Sequence, residues 1–298
     1  MNREQNTATR RCVIAVLGWG LAGRVIAGQQ TSTSKSLPSP NQLLLHARSR
    51  VEEPGAKGVV RVREQEFLWN TAETAIIICD MWDNHYCQNA ARRVAAMAPR
   101  MNRVIRAARA LGVTIIHAPS GTMDMYAGMP QRLRLQNAPK ARPPVPILKS
   151  CPLDRSKEAA LPVDDVTQPC DDDRVGPAVR RFNRQIDLLT IAPEDGISDD
   201  GGEIYSYFRQ QQIRNVVLMG VHTNMCVLGR PFGIRQQTRL GINVVLARDL
   251  TDAMYDPRQR PWVTHERGTE LVIEHIERYW CPSISGEDLT HRADSKPS

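Results

Sequence analysis

Three side chains of chemically useful type close apolar runs in this 298-residue chain. Asp80 ends the run Thr74–Cys79, His117 ends Val113–Ile116, and Cys226 follows Asn215–Gly220 by a short turn. Short runs that are apolar at every position read as strands buried on both faces of a parallel sheet. In open parallel sheets, ligands collect outside the carboxyl ends of the strands. A thiol at a helix start has its thiolate favoured by free N–H groups and the helix dipole. A nearby carboxylate can take the thiol proton, and adjacent backbone amides can hold an oxyanion. Singly, each residue has a plain role, since cysteines pack in cores and aspartates cap helices. Their joint placement at strand ends is what points to nucleophilic catalysis.

The elements that must position them follow from periodicity. Residues 88–111 carry Val94, Met97, Met101, Ile105, Ala108 and Leu111 at helical spacing, with Pro99 expected to break or kink the helix and Gly112 to end it. Strand, helix and strand in this order make a βαβ unit. Beyond it, strands are expected at 186–191, 215–220 and 243–249, and helices at 202–212, from 224, and at 267–279. Short strands at 43–47 and 59–63 flank Pro54-Gly55. Residues 118–185, rich in Pro, Arg and Asp, read as an insertion over the sheet. The expected architecture is a three-layer α/β/α domain with a central, mainly parallel sheet, over 70–285. A linker and N-terminal extension (29–69) precede it and a tail (286–298) follows.

Hydrophobic residues make up 41% and charged residues 24%, which excludes wholesale disorder. The net charge of +7 is spread without a basic block, and no helix-turn-helix or aromatic stacking platform is evident, so nucleic acid is not an expected partner. Residues 1–28 place Arg10-Arg11 before an apolar stretch and small residues at Ala27 and Gly28, the order of a cleaved secretory signal. The paired arginines resemble a twin-arginine signal. Export to the periplasm or outside the cell is the expectation, with no stable membrane association after cleavage. Cys151 and Cys170, both in the insertion, are the pair that export would allow to bridge.

The segment Thr74-Ala-Ile-Ile-Ile-Cys-Asp80-Met-Trp-Asp83 resembles the opening strand of the isochorismatase-like cysteine hydrolases, the superfamily of nicotinamidases and related amidases. Gly220-Val-His-Thr-Asn-Met-Cys-Val227 resembles that family's second signature, and Arg106–His117 its intervening helix–strand segment. The resemblance implies Cys226 as nucleophile, Asp80 as general base, a cis Val221–His222 peptide, and an oxyanion hole from the His222 and Cys226 N–H groups. It implies hydrolysis of an amide or other C–N bond in a small molecule through a Cys thioester, with no required cofactor. Related folds often assemble, so a homo-oligomer is a further expectation.

One departure stands out. The family places a lysine some thirty to forty-five residues before the cysteine, yet no lysine occurs from 158 to 295. Aligning Gly196–Asp199 with the segment after that lysine puts Glu194 or Asp195 in its place. Three outcomes stay open: an arginine such as Arg181 or Arg184 entering from the insertion, a bound metal, or loss of the standard chemistry. For a metal, zinc or iron, the candidates are His85, His117 and His222, with Asp80, Asp83 and Asp124 close in sequence. Trp82, His117 and Tyr126 are the candidates for substrate contact. The rival readings are a metal-assisted hydrolase and a non-catalytic small-molecule binder on a decayed hydrolase fold.

Overall fold

A computed structural model of the chain describes residues 41–56 and 58–294. The signal-like segment 1–28 and the linker up to residue 40 lie outside the described residues. The chain enters as β1 (Gln42–Glu52), which pairs antiparallel with β2 (Val60–Asn70) through a turn holding Pro54 and Gly55. These strands are longer than the predicted pieces because β1 has a face to bury: Leu43, Leu45 and Ala47 alternate into the core. Then come β3 (Thr74–Cys79), α1 (Gln88–Ala110), β4 (Thr114–Ala118), α2 (Pro130–Gln136), β5 (Gly196–Ile197) and α3 (Gly201–Gln210). The chain continues through β6 (Asn215–Val221), α4 (Cys226–Gly229), α5 (Ile234–Arg239), β7 (Asn243–Asp252), α6 (His265–Tyr279) and β8 (Ser283–Ile284).

The eight strands form one sheet in the order β2-β1-β8-β7-β6-β3-β4-β5. Only β1 with β2 and β1 with β8 are antiparallel, and every pairing from β8 to β5 is parallel. Alternate residues feed two apolar layers. Ala75, Ile77, Val216 and Leu218 pack with Phe208 of α3, Ile234 of α5 and Ile273 of α6. Ile76, Ile78, Val217 and Met219 pack with Val94, Met101 and Ile105 of α1. Helices therefore cover both faces, the three-layer arrangement the strand composition requires.

Several expectations are corrected. Pro99 lies within a continuous α1, on its exposed face, where water can take the carbonyl that proline leaves unpaired. No strand spans 186–191; Ile186 and Leu189 close a turn and both pack on the α1 layer, and the adjacent strand is the two-residue β5. A short apolar run does not reveal by period alone whether it pairs or turns. The sheet begins at residue 42, not 70. The segment after 285 does not trail free at its start, because Leu289 is fully buried and the Gly286 N–H donates to Asp249 (2.8 Å). No helix among the described residues is long and apolar enough to cross a membrane.

From β3 the chain winds out through β4 to β5, then returns to the other side of β3 as β6 and winds on to β7 and β8. The reversal lies between β3 and β6, so a crevice opens at their carboxyl ends. Cys79 pairs with Gly220 across this boundary. Residue 80 and the turn after 221 are thus neighbours by topology.

Candidate active site

Gly220 sits at φ +107°, and a Cβ there would lie 2.1 Å from the Cys79 carbonyl oxygen. Only glycine lets β6 approach β3 this closely. The Val221–His222 peptide is cis, as the resemblance implied. The turn that follows is pinned throughout. The Thr223 N–H donates to the Asp252 carbonyl (2.9 Å), and the Met225 and Val227 N–H groups donate to the His222 carbonyl. The Asn224 amide exchanges two hydrogen bonds with the Met254 backbone. Cys226 is the first residue of α4, where a helix leaves N–H donors without intrahelical partners.

Asp80 is fully buried at φ +48°, a left-handed conformation that aspartate tolerates better than most residues. One carboxylate oxygen accepts the Ser120 N–H (2.7 Å) and the other accepts Arg230 Nε (2.9 Å). The Cys226 thiol is its third partner, and the His222 N–H points to the same sulfur. Burial pushes the Asp80 carboxyl up, against the pull of Arg230 and Ser120. Burial and the Asp80 charge push the Cys226 thiol up, and Arg230 pulls it down. The resting pair is therefore a thiol beside a carboxylate of enhanced basicity, with a guanidinium bonded to the carboxylate and its charge felt by the thiol.

Arg230 is the cation that the sequence left unassigned. It follows the nucleophile by four residues and caps the end of α4, so one short turn returns its side chain over Cys226 and Asp80. The i, i+4 spacing was the available signal. The arginines named from the insertion stand elsewhere: Arg184 is half-buried and pairs with Asp187 (2.7 Å), and Arg181 is exposed. Glu194 is largely exposed and reaches only Arg109, at 3.8 Å. Asp195 is buried but belongs to a different cluster. It binds Arg109 (2.7 Å), His117 Nε2 (3.0 Å) and the Ala192 N–H (2.7 Å), and these bonds outweigh burial and hold its carboxyl low.

His117 is sealed between Asp195 and Gln185 (Nδ1 to Oε1 2.8 Å), with no exposed surface. The Tyr126 hydroxyl accepts the Gln185 N–H (2.8 Å), and Trp82 stacks on Phe182 with its Nε1–H on the Ser120 carbonyl. His117 and Trp82 fasten the insertion to the sheet, Tyr126 ties the two ends of the insertion together, and none of the three lines the cavities at the site. His222 and His85 pack edge to face with centroids 5.1 Å apart, while His117 is held in its own cluster and Asp80 is bound by Arg230. The named metal candidates are therefore not gathered around one point. Burial, aided by His85, pushes the His222 imidazole down to about 3, and its Nε2 has no hydrogen-bond partner. His222 thus offers its backbone N–H to the site.

Two cavities meet at Arg230. The larger, about 590 Å³, is lined by Asn224, Cys226 and Arg230 on the sheet side and by Leu161, Val163 and Asp165 of the insertion. The second, about 490 Å³, runs from Ser120 and Asp199 to Lys149 and Arg230. The insertion wall is bolted through Glu158, whose buried carboxylate receives Arg235 (2.7 and 2.9 Å), His275 Nε2 (2.8 Å) and Trp280 Nε1 (2.9 Å). Burial alone would push Glu158 up, but these bonds hold it down to about 2. A depressed carboxyl contributes stability above its unfolded pKa and loses it as pH falls through the folded value. The Glu158 contribution, ~3 kcal/mol from the shift, is expected to vanish between about pH 4.5 and 2. Denaturant melts of wild type and Glu158→Gln against pH check this: the variant is weaker at neutral pH and its stability changes less over that window.

Cys151 and Cys170, the pair that export would allow to bridge, are not bridged. The Cys151 thiol lies on the Gln236 amide oxygen (3.3 Å), and Cys170 packs instead against Cys87.

No family model matches the chain, and no curated protein matches it. Solved structures do. A cysteine hydrolase from Pseudomonas syringae pv. phaseolicola is 16% identical, with 74% of this chain and 92% of that one covered, at a TM-score of 0.46. An isochorismatase-like hydrolase from Alkaliphilus metalliredigens is 12% identical, with 74% and 98% covered, at 0.43. An isochorismatase family protein from Desulfovibrio vulgaris is 15% identical, with 73% and 96% covered, at 0.41. The chain is thus similar, over about three quarters of its length, to solved structures described as cysteine hydrolases and isochorismatase-like hydrolases.

Proposed function

We propose that this protein is a cysteine hydrolase of the isochorismatase-like type that cleaves an amide or other C–N bond in a small molecule. The observation that carries the reading is the contact set of Asp80: a buried carboxylate bonded to Arg230 and facing the Cys226 thiol at the mouth of a cavity. The Gly220–Val227 signature supports it.

In this reading the substrate carbonyl enters the larger cavity beside Cys226. Asp80 takes the thiol proton as sulfur bonds to the carbonyl carbon, and the negative charge moves to the carbonyl oxygen. The His222 and Cys226 N–H groups hold that oxygen, each such donor being worth ~3 kcal/mol in comparable sites. The guanidinium of Arg230 stays charged throughout: burial pulls its pKa down, but the Asp80 charge outweighs this and holds it above the ordinary arginine value. It steadies the sulfur as charge develops and does not donate the proton. Protonated Asp80 gives its proton to the departing nitrogen, the C–N bond breaks, and a thioester remains. Asp80 then deprotonates water, which attacks the thioester and releases the acid.

A panel of small primary amides, ureido compounds and N-acyl amines, assayed with wild type and Cys226→Ala in parallel, tests the reading. Turnover by wild type alone supports it; equal turnover by both proteins removes it.

A further inference from the structure

Away from this site, two buried thiols and two carboxylates converge at the start of α1. Cys87 and Cys170 have no exposed surface, and Asp172 is 9% exposed. One sulfur from each cysteine and one oxygen of Asp172 all lie within 4.8 Å of one another. The Cys87 sulfur is 3.7 Å from Asp172 Oδ1 and 3.4 Å from Asp171 Oδ1. Zinc–sulfur and zinc–oxygen bonds of about 2.3 and 2.0–2.2 Å at tetrahedral angles put neighbouring ligand atoms about 3.5–3.8 Å apart. The sulfur–oxygen spacings here already have that size.

We propose that Cys87, Cys170 and Asp172 form a structural site for a thiophilic divalent cation of the zinc type. Cation uptake exchanges the two thiol protons for two metal–sulfur bonds and adds one bond from Asp172; both protons leave to solvent and no electrons move. Asp172 is oriented for this by the N–H groups of Gln88 and Asn89 (both 2.8 Å), the outer support that ligating carboxylates need. The positive end of the 23-residue α1 faces the same anions. Asp171 is neutralised separately by Arg93 (2.7 Å), so it does not compete as a strong ligand but lies close enough to complete the shell. A cation here joins residues 170–172, the far end of the insertion that walls the catalytic cavity, to the helix behind β3. The proposal does not depend on the hydrolase reading.

Cobalt is the probe. Full-length protein, reduced and stripped with a chelator, is titrated with Co²⁺ under a non-coordinating reductant. The expected result is one equivalent bound, with sulfur-to-cobalt charge-transfer absorption, tetrahedral visible bands, about two protons released, and displacement by Zn²⁺. The bands persist in Cys226→Ala and Cys281→Ser and disappear in Cys170→Ser. Should Cys170→Ser not fold, the wild-type spectrum, the proton count and the Cys226→Ala spectrum decide the matter. Absence of thiolate bands in folded wild type, or their loss in Cys226→Ala, overturns the proposal. Recovery of a Cys87–Cys170 disulfide peptide from protein never exposed to added oxidant does so as well.

Discussion

Asp80→Asn is expected to lower hydrolysis by ~10³-fold or more, near the upper range of acid–base contributions, while making Cys226 easier to alkylate at neutral pH. The two effects separate because Asp80 has two roles. Its charge raises the Cys226 thiol, and Arg230 opposes it. Burial also raises the thiol and stays in place, but asparagine removes the charge that adds to it and leaves the pull of Arg230, so the thiolate becomes more accessible. Without a carboxylate, however, nothing carries the proton from sulfur to the departing nitrogen. Asparagine also suits the left-handed backbone at φ +48°, so the fold is expected to hold. Iodoacetamide labelling of Cys226, read by peptide mass, and turnover on the same preparation check this. A parallel fall in both would show that Asp80 only supports the turn.

Arg230→Gln is expected to reduce turnover by ~10²–10³-fold, the scale of one preorganised charge or donor, and to move the acid limb of the pH–rate profile upward. The sign follows from the base having to be ionised. Activity falls as pH drops through the Asp80 pKa, which burial raises and Arg230 restrains. Removing Arg230 lifts that pKa further, so activity is lost at a higher pH. Labelling of Cys226 slows as well, opposite to Asp80→Asn. The Arg230 side chain is 35% exposed, so the stability loss should be ~1–3 kcal/mol, less than the ~3–5 kcal/mol of a wholly buried pair. Arg230→Lys restores a cation without the planar fork and should recover part of the rate and return the acid limb. Profiles of kcat/KM for the three proteins distinguish a catalytic charge from a packing residue, since a packing role would not move the limb.

The central sheet was legible because its strands are buried on both faces and therefore apolar at every position, as in Thr74–Cys79 and Asn215–Val221. Asp80 and Cys226 were legible because the first directly follows such a run and the second follows one by a short turn. The β1–β2 hairpin was seen only in part, since β2 is mostly solvent-facing and polar and gives little alternation to read. The insertion was opaque for another reason. Its path is set by isolated polar anchors rather than by periodicity: Glu158 on Arg235, Gln185 on His117, and Asp172 on the start of α1. Those anchors also engage His117, Tyr126 and Trp82. Each is polar or aromatic near a strand end, but each spends its hydrogen bond on the insertion instead of facing the cavity.

Arg230 shows a different limit. The resemblance places the cation upstream of the cysteine, and the insertion offers arginines of its own. The charge came from four residues downstream, where a one-turn helix doubles the chain back. A chain without lysine from 158 to 295 can thus keep a cation beside the Asp–Cys pair by moving it to another element, and the missing lysine is not in itself a sign of a decayed site.

The most direct test of the account is peptide mass spectrometry of protein acid-quenched during turnover of an amide it hydrolyses. The account predicts a Cys226 peptide heavier by the acyl group less one hydrogen, absent from Cys226→Ala. An unmodified Cys226 throughout turnover, with Cys226→Ala hydrolysing the same amide at the wild-type rate, would contradict it.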